Sequence, residues 1–359
     1  MTVRVGVIGT GVIGREHVLR LARRTVGAQV VAVADPDSER ARAVAAEVGA
    51  QVHVTGAELI ADAGVDAVVV ASWGPTHEQY VLAAIAAGKP VFCEKPLAPT
   101  REACDRILDA EVAAGRRLVT VGFMRRHDPQ YRAMKEVVVG GSIGAPLLMH
   151  AAHRNVSVPG FFTSEMIVTD TAVHDIDVAR WMFDEEIVAV TVLTGRVSSK
   201  AQPGFRDPQL IILQTASGIL VDVEASVNAG FGYDIRGEVV GEDGTVELSE
   251  SAGAVVKRAG SAHVRVPTEW IERFTPAFDA EFRAWIDVIA DGSTDSRTHL
   301  TVGPTAWDGY AATACCEAGL AALRSGTQER VELRPQPELY RTTDRLTSTS
   351  TILPEGTPR

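Results

Sequence analysis

The sequence predicts a doubly wound parallel sheet followed by a second unit built on an open, mainly antiparallel sheet flanked by helices. Three observations support this fold class. Over about the first 120 residues, continuous apolar runs alternate with helical patterns, which is typical of a parallel sheet covered on both faces. A glycine-rich turn directly follows the first run. Beyond Gly141, alternating apolar and polar stretches are separated by hairpin-like turns, which indicates antiparallel strands.

Five apolar runs predict the strands of the parallel sheet. The segments between them are rich in Ala, Arg and Glu, as in SERARAVAAEVG from Ser38, and their periodicity is that of helices. The runs are VRVGVIG (3–9), QVVAVAD (29–35), AVVVAS (67–72), PVFCEK (90–95) and RLVTVGF (117–123).

The second sheet is predicted in runs such as EIVAVTVLTGRV, PQLIILQT, GILVDVEASV and IRGEVVGEDGTVEL. Turn residues at 216–218 and 242–244 lie where hairpins would reverse the chain. Helical patterns precede and follow the sheet, at about 127–139, 170–183, 276–291 and 303–324.

The length of 359 residues exceeds what one hydrophobic core usually organises, which predicts two domains. We place the first at 1–123 and the second, for substrate binding and oligomerisation, at 124–333. The segment 334–359 is rich in Pro, Thr and Ser, and we expect a flexible tail there.

The charge and the apolar runs exclude several classes of partner. A net charge of −11 disfavours binding to nucleic acid or an anionic membrane. No apolar run approaches the roughly 18–20 residues of a membrane helix, and the strand-like start leaves no room for a signal peptide. Four cysteines without metal-ligand spacing are expected as buried free thiols, Cys93, Cys104, Cys315 and Cys316. We therefore expect a cytoplasmic protein.

Residues 9–14 form a GxGxxG motif between a strand and a helical pattern, the context of a Rossmann dinucleotide-binding turn. Gly9 would permit the tight turn, Gly11 would let the backbone approach a pyrophosphate, and Gly14 would let helix and strand pack closely. Asp35 ends the second run, 21 residues after Gly14. Its carboxylate would accept hydrogen bonds from the ribose hydroxyls and repel a 2′-phosphate. With Arg40 the nearest following arginine, the sequence predicts NAD rather than NADP.

Two further strand ends should face the cofactor crevice, because ligands of such sheets bind outside the carboxyl ends of the strands. Lys95 ends the run PVFCEK, and Pro96 restricts its backbone, which suits a positioned group. His77 follows the preceding strand, and we interpret it first as part of the next helix's first turn. The residues assigned to cofactor binding are Gly9, Gly11, Val12, Ile13, Gly14, Asp35, Ser72, Trp73, Gly74, His77, Glu94 and Lys95.

The segment DTAVHDID places Asp170, His174 and Asp177 at intervals of four and three, which is one face of a regular α-helix. Such a face fits a catalytic acid/base, a divalent metal site or a buried polar network. No second histidine has ligand spacing, and Lys95 would repel a cation, so we expect no metal.

Together these motifs resemble the glucose–fructose oxidoreductase/inositol dehydrogenase (Gfo/Idh/MocA) family, from about Val3 to about Leu333. The dinucleotide motif and the EKP are shared broadly, whereas GFMRR, HRN and DxxxHxxD point to the inositol branch. The motifs are GVIGTGVIG, SWGPTHE, FCEKPLA, GFMRRHD, HAAHRN, DTAVHDIDVARW, DPQLIILQT, GYDIRGEVVGEDG and GPTAWDGY.

The resemblance implies NAD-dependent oxidation of a secondary hydroxyl of a cyclic polyol, foremost myo-inositol to 2-keto-myo-inositol, by a homotetramer. His174 would be the base, Asp170 its orienting carboxylate and Lys95 the stabiliser of charge on the reacting oxygen. A cis Lys95–Pro96 bond is also implied. The implied substrate contacts are Lys95, Arg125, His153, Asn155, Asp170, His174, Asp177 and Tyr233.

The sequence is also compatible with other substrates and with loss of catalysis. HDID stands where HEID is more frequent, and VSVP after HRN changes the pocket wall, so the preferred polyol stays open. A dehydrogenase of glucose, D-chiro-inositol or scyllo-inositol is one alternative. An NAD-binding sensor without chemistry is another, although retention of Lys95, Asp170 and His174 argues against it.

Overall fold

The computed structural model describes residues 1–249, 255–291 and 303–341, and its N-terminal part alternates strands with helices. The strands are β1 (Val3–Ile8), β2 (Ala28–Ala34), β3 (Gln51–His53), β4 (Ala67–Val70), β5 (Val91–Glu94) and β6 (Val119–Gly122). The helices are α1 (Val12–Arg23), α2 (Ser38–Val48), α3 (Gly56–Ala61), α4 (His77–Ala86) and α5 (Arg101–Ala114).

All neighbouring strands of this sheet are parallel, in the order β3-β2-β1-β4-β5-β6. The predicted Rossmann sheet is confirmed. Every residue of β4, β5 and β6 is buried, which explains why their sequences are continuous apolar runs. Strand order reverses at β1, so the loops after β1 and β4 diverge and leave a crevice at the carboxyl edge.

The second part of the chain is richer in strands. Its helices are α6 (Pro129–Val139), α7 (Ser164–Met166), α8 (Val173–Phe183), α9 (Trp270–Asp291) and α10 (Ala306–Ser325). Its strands are β7 (Pro146–Arg154), β8 (Ile187–Thr194), β9 (Gln209–Thr215), β10 (Leu220–Ser226), β11 (Asp234–Gly241), β12 (Thr245–Glu247), β13 (Val256–Arg258), β14 (Ser261–His263) and β15 (Glu329–Arg330).

Seven of these strands form a sheet in the order β12-β11-β7-β10-β9-β8-β15. Only the β7–β10 pair is parallel among the described strands of this sheet, so the predicted mainly antiparallel sheet is confirmed. Both predicted hairpin turns are present, between β9 and β10 and between β11 and β12. Alternate residues of β9 and β10 are buried, because α8 and α10 cover one face of the sheet.

The helical segment around DTAVHDID departs from the prediction. Ile167–Thr171 forms a π-helical turn and the regular helix α8 begins only at Val173. The amide of Ala172 accordingly donates to the carbonyl of Ile167, five residues earlier, at 2.8 Å. A π turn widens the helix locally, so the assumption of one regular helical face from Asp170 onward is wrong.

The start of the predicted tail also differs from the prediction. Tyr340 is buried, and its hydroxyl donates to Oε2 of Glu111 on α5 at 2.6 Å. Arg334 pairs with Asp105 and Asp109 of the same helix. Residues 334–341 are thus held against the parallel-sheet unit, and residues 342–359 lie outside the described part of the chain.

Candidate active site

The glycine-rich turn has the geometry that a dinucleotide site requires. Gly9 has φ +92°, and a Cβ there would lie 2.5 Å from the carbonyl oxygen of Ala71. A Cβ at Gly14 would lie 1.9 Å from the carbonyl oxygen of Gly9, whereas one at Gly11 would meet no described atom within 4 Å. The first and last glycines are therefore needed for packing within the protein, and the middle one leaves space for a ligand.

The N-terminus of α1 is ready for an anion. Gly11 is its N-cap residue and supplies no side-chain cap, so amides of the first turn can bind a pyrophosphate. Val12 is 74% exposed beside this turn, and Ile13 lines the large cavity described below. The residues present fit the pyrophosphate of NAD.

Asp35 follows β2 and is buried at the same edge of the sheet. Its Oδ2 accepts from the amide of Thr10 at 2.7 Å, and its Oδ1 accepts from the amide of Asp37 at 2.8 Å. Arg40 donates from Nη2 to Oδ1 at 2.7 Å. Burial opposes the charge of Asp35, but these hydrogen bonds outweigh it and lower the pKa of the carboxyl.

A cavity of about 710 Å³ lies beyond the ends of β4 and β5, and residues of β7, α8, α9 and α10 close it. It brings together most of the predicted site residues. Those lining it are Ile13, Ser72, Trp73, Gly74, His77, Glu94, Lys95, His153, Asn155, Asp170, His174 and Tyr233.

The remaining predicted residues do not line this cavity. Five belong to the dinucleotide site itself, namely Gly9, Gly11, Val12, Gly14 and Asp35. The other two, Arg125 and Asp177, are almost completely buried.

His77 ties two turns of the site together. Its Nε2 lies 2.9 Å from the carbonyl oxygen of Ser72, and its Nδ1 lies 2.7 Å from that of Pro96. It is the first residue of α4 and is buried. These contacts agree with the structural interpretation of His77 as part of the first helical turn.

Lys95 lies at the cavity after β5, and its bond to Pro96 is cis, as the family resemblance implied. Its Nζ donates to Asp170 Oδ1 at 2.8 Å and to the Asp170 carbonyl at 3.1 Å. The amide of Lys95 donates to Glu94 Oε2, and Glu94 Oε1 is 2.6 Å from His17 Nε2. The lysine is therefore held at both its backbone and its ammonium group.

No hydrogen bond joins Asp170 to His174, although the resemblance implied that Asp170 orients this histidine. The carboxylate of Asp170 is paired with Lys95, whose charge lowers its pKa. His174 Nδ1 is buried without a hydrogen-bond partner among the described residues. Burial, and then the charge of Lys95, lower the pKa of His174 well below its ordinary value, so the imidazole is neutral near pH 7.

Asp177 is the clearest error among the predicted substrate contacts. Its carboxylate is wholly buried against Arg126, with oxygen–nitrogen distances of 2.6 and 2.9 Å. Arg126 also donates to Asp308 at 2.8 Å. This face of α8 packs against the short helix Met124–His127, so Asp177 points away from the cavity.

Asp175 is the residue that the sequence interpretation missed. Its Oδ1 accepts from Arg125 Nη1 at 2.5 Å, and its Oδ2 lies 3.0 Å from His153 Nδ1. The Nε2 of that histidine is 3.4 Å from the hydroxyl of Tyr233. Arg125 is not part of the cavity wall, and it contacts His153 on the side away from the cavity. Spacing alone favoured Asp177, and only the π turn and the packing of α8 select Asp175.

Metal binding has no support in the described part of the chain, where no group of three or more His, Cys, Asp or Glu side chains could hold an ion. The carboxylates of Asp170 and Asp177 are instead paired with Lys95 and Arg126. In the same ranges no helix has the length and apolarity needed to cross a bilayer.

Two family models match the chain. The NAD-binding Rossmann-fold model of the GFO/IDH/MocA oxidoreductases matches residues 3–123, and their C-terminal domain model matches residues 131–247. The chain belongs to the GFO/IDH/MocA oxidoreductase family. It is an NAD-dependent oxidoreductase, and NAD is its cofactor.

Relatives within the GFO/IDH/MocA family are similar over nearly their whole length. Inositol 2-dehydrogenase 3 of Saccharopolyspora erythraea is 52% identical over 340 residues, covering 95% of this chain and 98% of the relative. Inositol 2-dehydrogenase of Burkholderia lata is 47% identical over 343 residues, which cover 95% of this chain and 100% of the relative. The crystal structure of myo-inositol dehydrogenase from Lactobacillus casei with NAD(H) and myo-inositol has a TM-score of 0.90 at 37% sequence identity. The match covers 95% of this chain and 100% of that chain.

Proposed function

We propose that this protein oxidises a secondary hydroxyl of a cyclic polyol with NAD, and that the substrate is myo-inositol and the product 2-keto-myo-inositol. One observation carries the proposal: Lys95, His174 and His153 line a single cavity that begins beside the dinucleotide turn. Similarity to inositol 2-dehydrogenases over 95% of the chain supports the choice of polyol.

The charge balance of the cavity suits a neutral substrate. Lys95 is matched by Asp170, and Arg125, just behind the wall, is matched by Asp175. Asn155 and Tyr233 add uncharged polar groups to the lining. Because neither cation is left for a carboxylate or phosphate, the site favours a ligand that offers many hydroxyl groups.

Lys95 stabilises the reacting oxygen. Its ammonium group can donate to the hydroxyl oxygen while Asp170 and the Asp170 carbonyl hold it in place. An alkoxide-like oxygen develops negative charge in the transition state, and a fixed donor stabilises it there more than in the ground state. NAD, when bound, supplies the nicotinamide that accepts the hydride.

His174 takes the hydroxyl proton. It is neutral because burial and the nearby cations lower its pKa, and a neutral imidazole has a nitrogen free to accept a proton. Its Nδ1 is buried, which leaves Nε2 to meet the substrate. The role of Asp170 changes accordingly, from orienting the base to anchoring Lys95.

The remaining substrate contacts come from three sides of the cavity. We assign recognition of the substrate hydroxyl groups to His153, Asn155 and Tyr233. Asp170 accepts a hydrogen bond from a substrate hydroxyl with the carboxylate oxygen that Lys95 does not contact. Arg125 contributes through His153, which it contacts at 2.9 Å.

Replacing the two central residues tests the assignment. Lys95→Ala and His174→Ala should each lower kcat by about 10²–10⁴-fold while NAD binding, measured by fluorescence, persists. Lys89→Ala, which removes a lysine that donates to the Asp62 carbonyl outside the cavity, is the matched control. Near-normal kcat in either cavity variant would contradict the roles.

Assembly as a homotetramer is part of the same proposal. Large apolar side chains are exposed on the seven-stranded sheet, at Leu148, Leu193, Leu210 and Leu220, and contiguous apolar surface often marks a subunit interface. The four cysteines are free and buried, which agrees with the reducing cytoplasm as the proposed location. Light scattering should give the tetramer mass, and a monomer would contradict the assembly.

A further inference from the structure

His17 is a buried histidine to which the proposed reaction gives no role. It lies on α1, three residues after Gly14 of the dinucleotide turn, and its side chain is 0% exposed. The rings of Phe92 on β5 and of Phe278 and Phe282 on α9 surround it, at centroid distances between 4.6 and 6.0 Å. An imidazole in such apolar surroundings needs a hydrogen-bond partner for each of its nitrogens.

The two partners of His17 determine which nitrogen carries the proton. Nδ1 lies 3.0 Å from Arg20 Nη1, and it must accept there because a guanidinium can only donate. Nε2 therefore carries the proton and donates to Glu94 Oε1 at 2.6 Å. Arg20 is itself held, since its Nε donates to Asp279 Oδ1 at 2.9 Å. Burial lowers the pKa of His17, which agrees with a neutral imidazole carrying one proton.

Glu94 connects this histidine to the cavity. It is the last residue of β5, it lines the cavity, and its Oε2 accepts from the amide of Lys95 at 3.1 Å. A Cβ at Gly122 on the neighbouring strand β6 would lie 3.2 Å from the Glu94 carboxyl group. The carboxyl group is thus enclosed, and it joins His17 on one side to the backbone of Lys95 on the other.

The charge of Glu94 depends on these contacts. Burial opposes the charge, but the hydrogen bond from His17 and then the charge of Lys95 outweigh it and lower the pKa of the carboxyl. Within the described part of the chain, His17 supplies the only side-chain hydrogen bond to Glu94. The titratable or charged groups facing Glu94 or its histidine are Lys95 after β5, His17 and Arg20 on α1, His77 on α4 and Glu281 on α9.

We propose that His17 is a positioning residue for the oxidation: its Nε2 proton holds Glu94 as a carboxylate, and that carboxylate fixes the backbone of Lys95. Arg20 contributes by keeping the proton on Nε2. His17 does not line the cavity, so it acts only through Glu94. This role rests on the proposed function, in which the Lys95 ammonium stabilises the reacting oxygen.

Three variants test the role of His17. His17→Leu removes both hydrogen bonds, whereas His17→Gln keeps one donor and one acceptor on its amide. His53→Leu is the matched control, because His53 on β3 pairs with the carboxylate of Asp62 outside the cavity. Steady-state kinetics with myo-inositol and NAD over a pH series provides the first measurement.

The acid side of the pH profile should change in His17→Leu. Loss of the donor raises the pKa of Glu94, and each unit of that rise lowers the ionised fraction at acidic pH about tenfold. From about pH 8 to about pH 5.5, kcat/KM should therefore fall at least about tenfold more than in wild type. The loss should lie mainly in kcat, because Lys95 acts in the transition state. His17→Gln and His53→Leu should follow wild type, and a wild-type pH profile in His17→Leu would overturn the proposal.

Glu94→Gln gives a second test, which does not depend on whether His17→Leu folds. Its side chain keeps the shape of Glu94 but cannot ionise, so kcat should fall at least about tenfold at every pH. Wild-type kcat in this variant would overturn the proposal.

The ionisation of Glu94 can also be measured without substrate, by carbon-13 NMR of protein labelled at the glutamate carboxyl carbon. Absence of a signal from Glu94→Gln assigns that signal to Glu94. It should titrate at higher pH in His17→Leu than in wild type, and equal titration would overturn the role of His17. If the titration moves but wild type oxidises no polyol, the proposed function fails, and the control of Glu94 by His17 stands.

Discussion

Asp175 contacts two residues at the base of the cavity, Arg125 and His153, and all three are buried. Nδ1 of His153 lies 3.0 Å from Asp175 Oδ2 and 2.9 Å from Arg125 Nη2, so the carboxylate and the guanidinium together hold the imidazole in place. In this structure the histidine with an orienting carboxylate is therefore His153. His174, which we assign as the base, has no such partner among the described residues.

The Asp175 contacts lead to a mutational prediction. Asp175→Asn should lower kcat/KM for the polyol by about 100-fold, because His153 and Arg125 lose the carboxylate that holds them in place. Asp175→Glu should recover most of the activity, since it restores the charge. Steady-state kinetics over a pH series, with thermal unfolding of each variant, provides the measurement.

Asp177→Asn is the matched control for that series. Asp177 lies two residues beyond Asp175 on α8, and the change removes an equally buried carboxylate from Arg126, but Asp177 does not line the cavity. Both Asn variants should be destabilised, by up to about 3–5 kcal/mol, since each leaves a buried arginine with fewer partners. Equal losses of kcat/KM in the two variants would show that Asp175 has only a structural role.

At the scale of elements, the glycine turn separates packing from ligand binding. Gly11→Ala should leave the melting temperature within about 2 °C of wild type, because its Cβ meets no described atom. It should nevertheless weaken NAD binding at least about tenfold, because the methyl group occupies the path of the pyrophosphate. Calorimetric titration with NAD measures this effect.

Gly14→Ala should behave in the opposite way. Its Cβ would collide with the carbonyl of Gly9, so the variant should lose several kcal/mol of stability, on the order of 2–4. Thermal unfolding without cofactor distinguishes the two variants. Wild-type NAD affinity in Gly11→Ala would contradict the assigned position of the pyrophosphate.

The contact between Glu111 on α5 and Tyr340 predicts a pH dependence. Burial raises the pKa of Glu111 to about 7, so the folded protein keeps a proton that the unfolded chain releases at lower pH. Stability contributed by this group is complete below its ordinary pKa and is lost as pH rises to about 7. Glu111→Gln, which cannot ionise, should gain about 1–3 kcal/mol relative to wild type between pH 5 and pH 8.

Chemical unfolding at both pH values measures that difference. Glu102→Gln, an exposed change on the same helix, is the control and should follow wild type. A free-energy difference between Glu111→Gln and wild type that stays constant with pH would contradict the raised pKa.

Much of the element structure could be predicted because it follows local rules. The five apolar runs became β1, β2, β4, β5 and β6 since strands buried on both faces need apolar residues throughout. β3 was missed because QVH is short and partly exposed. The start of α9 was predicted near 276 because proline is favoured in the first turn of a helix. The helix begins at Trp270 instead, and Pro276 lies inside it.

The π turn at Ile167–Thr171 could not be predicted from spacing. A regular helix assigns Asp170, His174 and Asp177 to one face, but the wider turn directs Asp170 to Lys95 while α8 directs Asp177 to Arg126. Side-chain periodicity is a local rule, and the choice between Asp175 and Asp177 depends on which helix packs behind them. That choice is made by tertiary contacts.

On the scale of the whole molecule, the cavity exists only because two sheets meet. Lys95 comes from the end of β5 in the parallel sheet, and His153 comes from β7 in the mixed sheet. Most residues that the family motifs suggested line this cavity, because the motifs lie on chain segments that converge in the fold. The domain limits at 123 and 333 remain predictions, and part of the second segment, at 250–254 and 292–302, lies outside the described residues.

The cavity between the two sheets is the proposed site of NAD-dependent oxidation of myo-inositol. The most direct test is the initial rate of NADH formation with myo-inositol, scyllo-inositol, D-chiro-inositol and glucose at equal concentration. We expect the highest rate with myo-inositol and a loss of that rate in His174→Ala. Absence of NADH formation with every inositol, or a higher rate with glucose, would contradict the proposed activity.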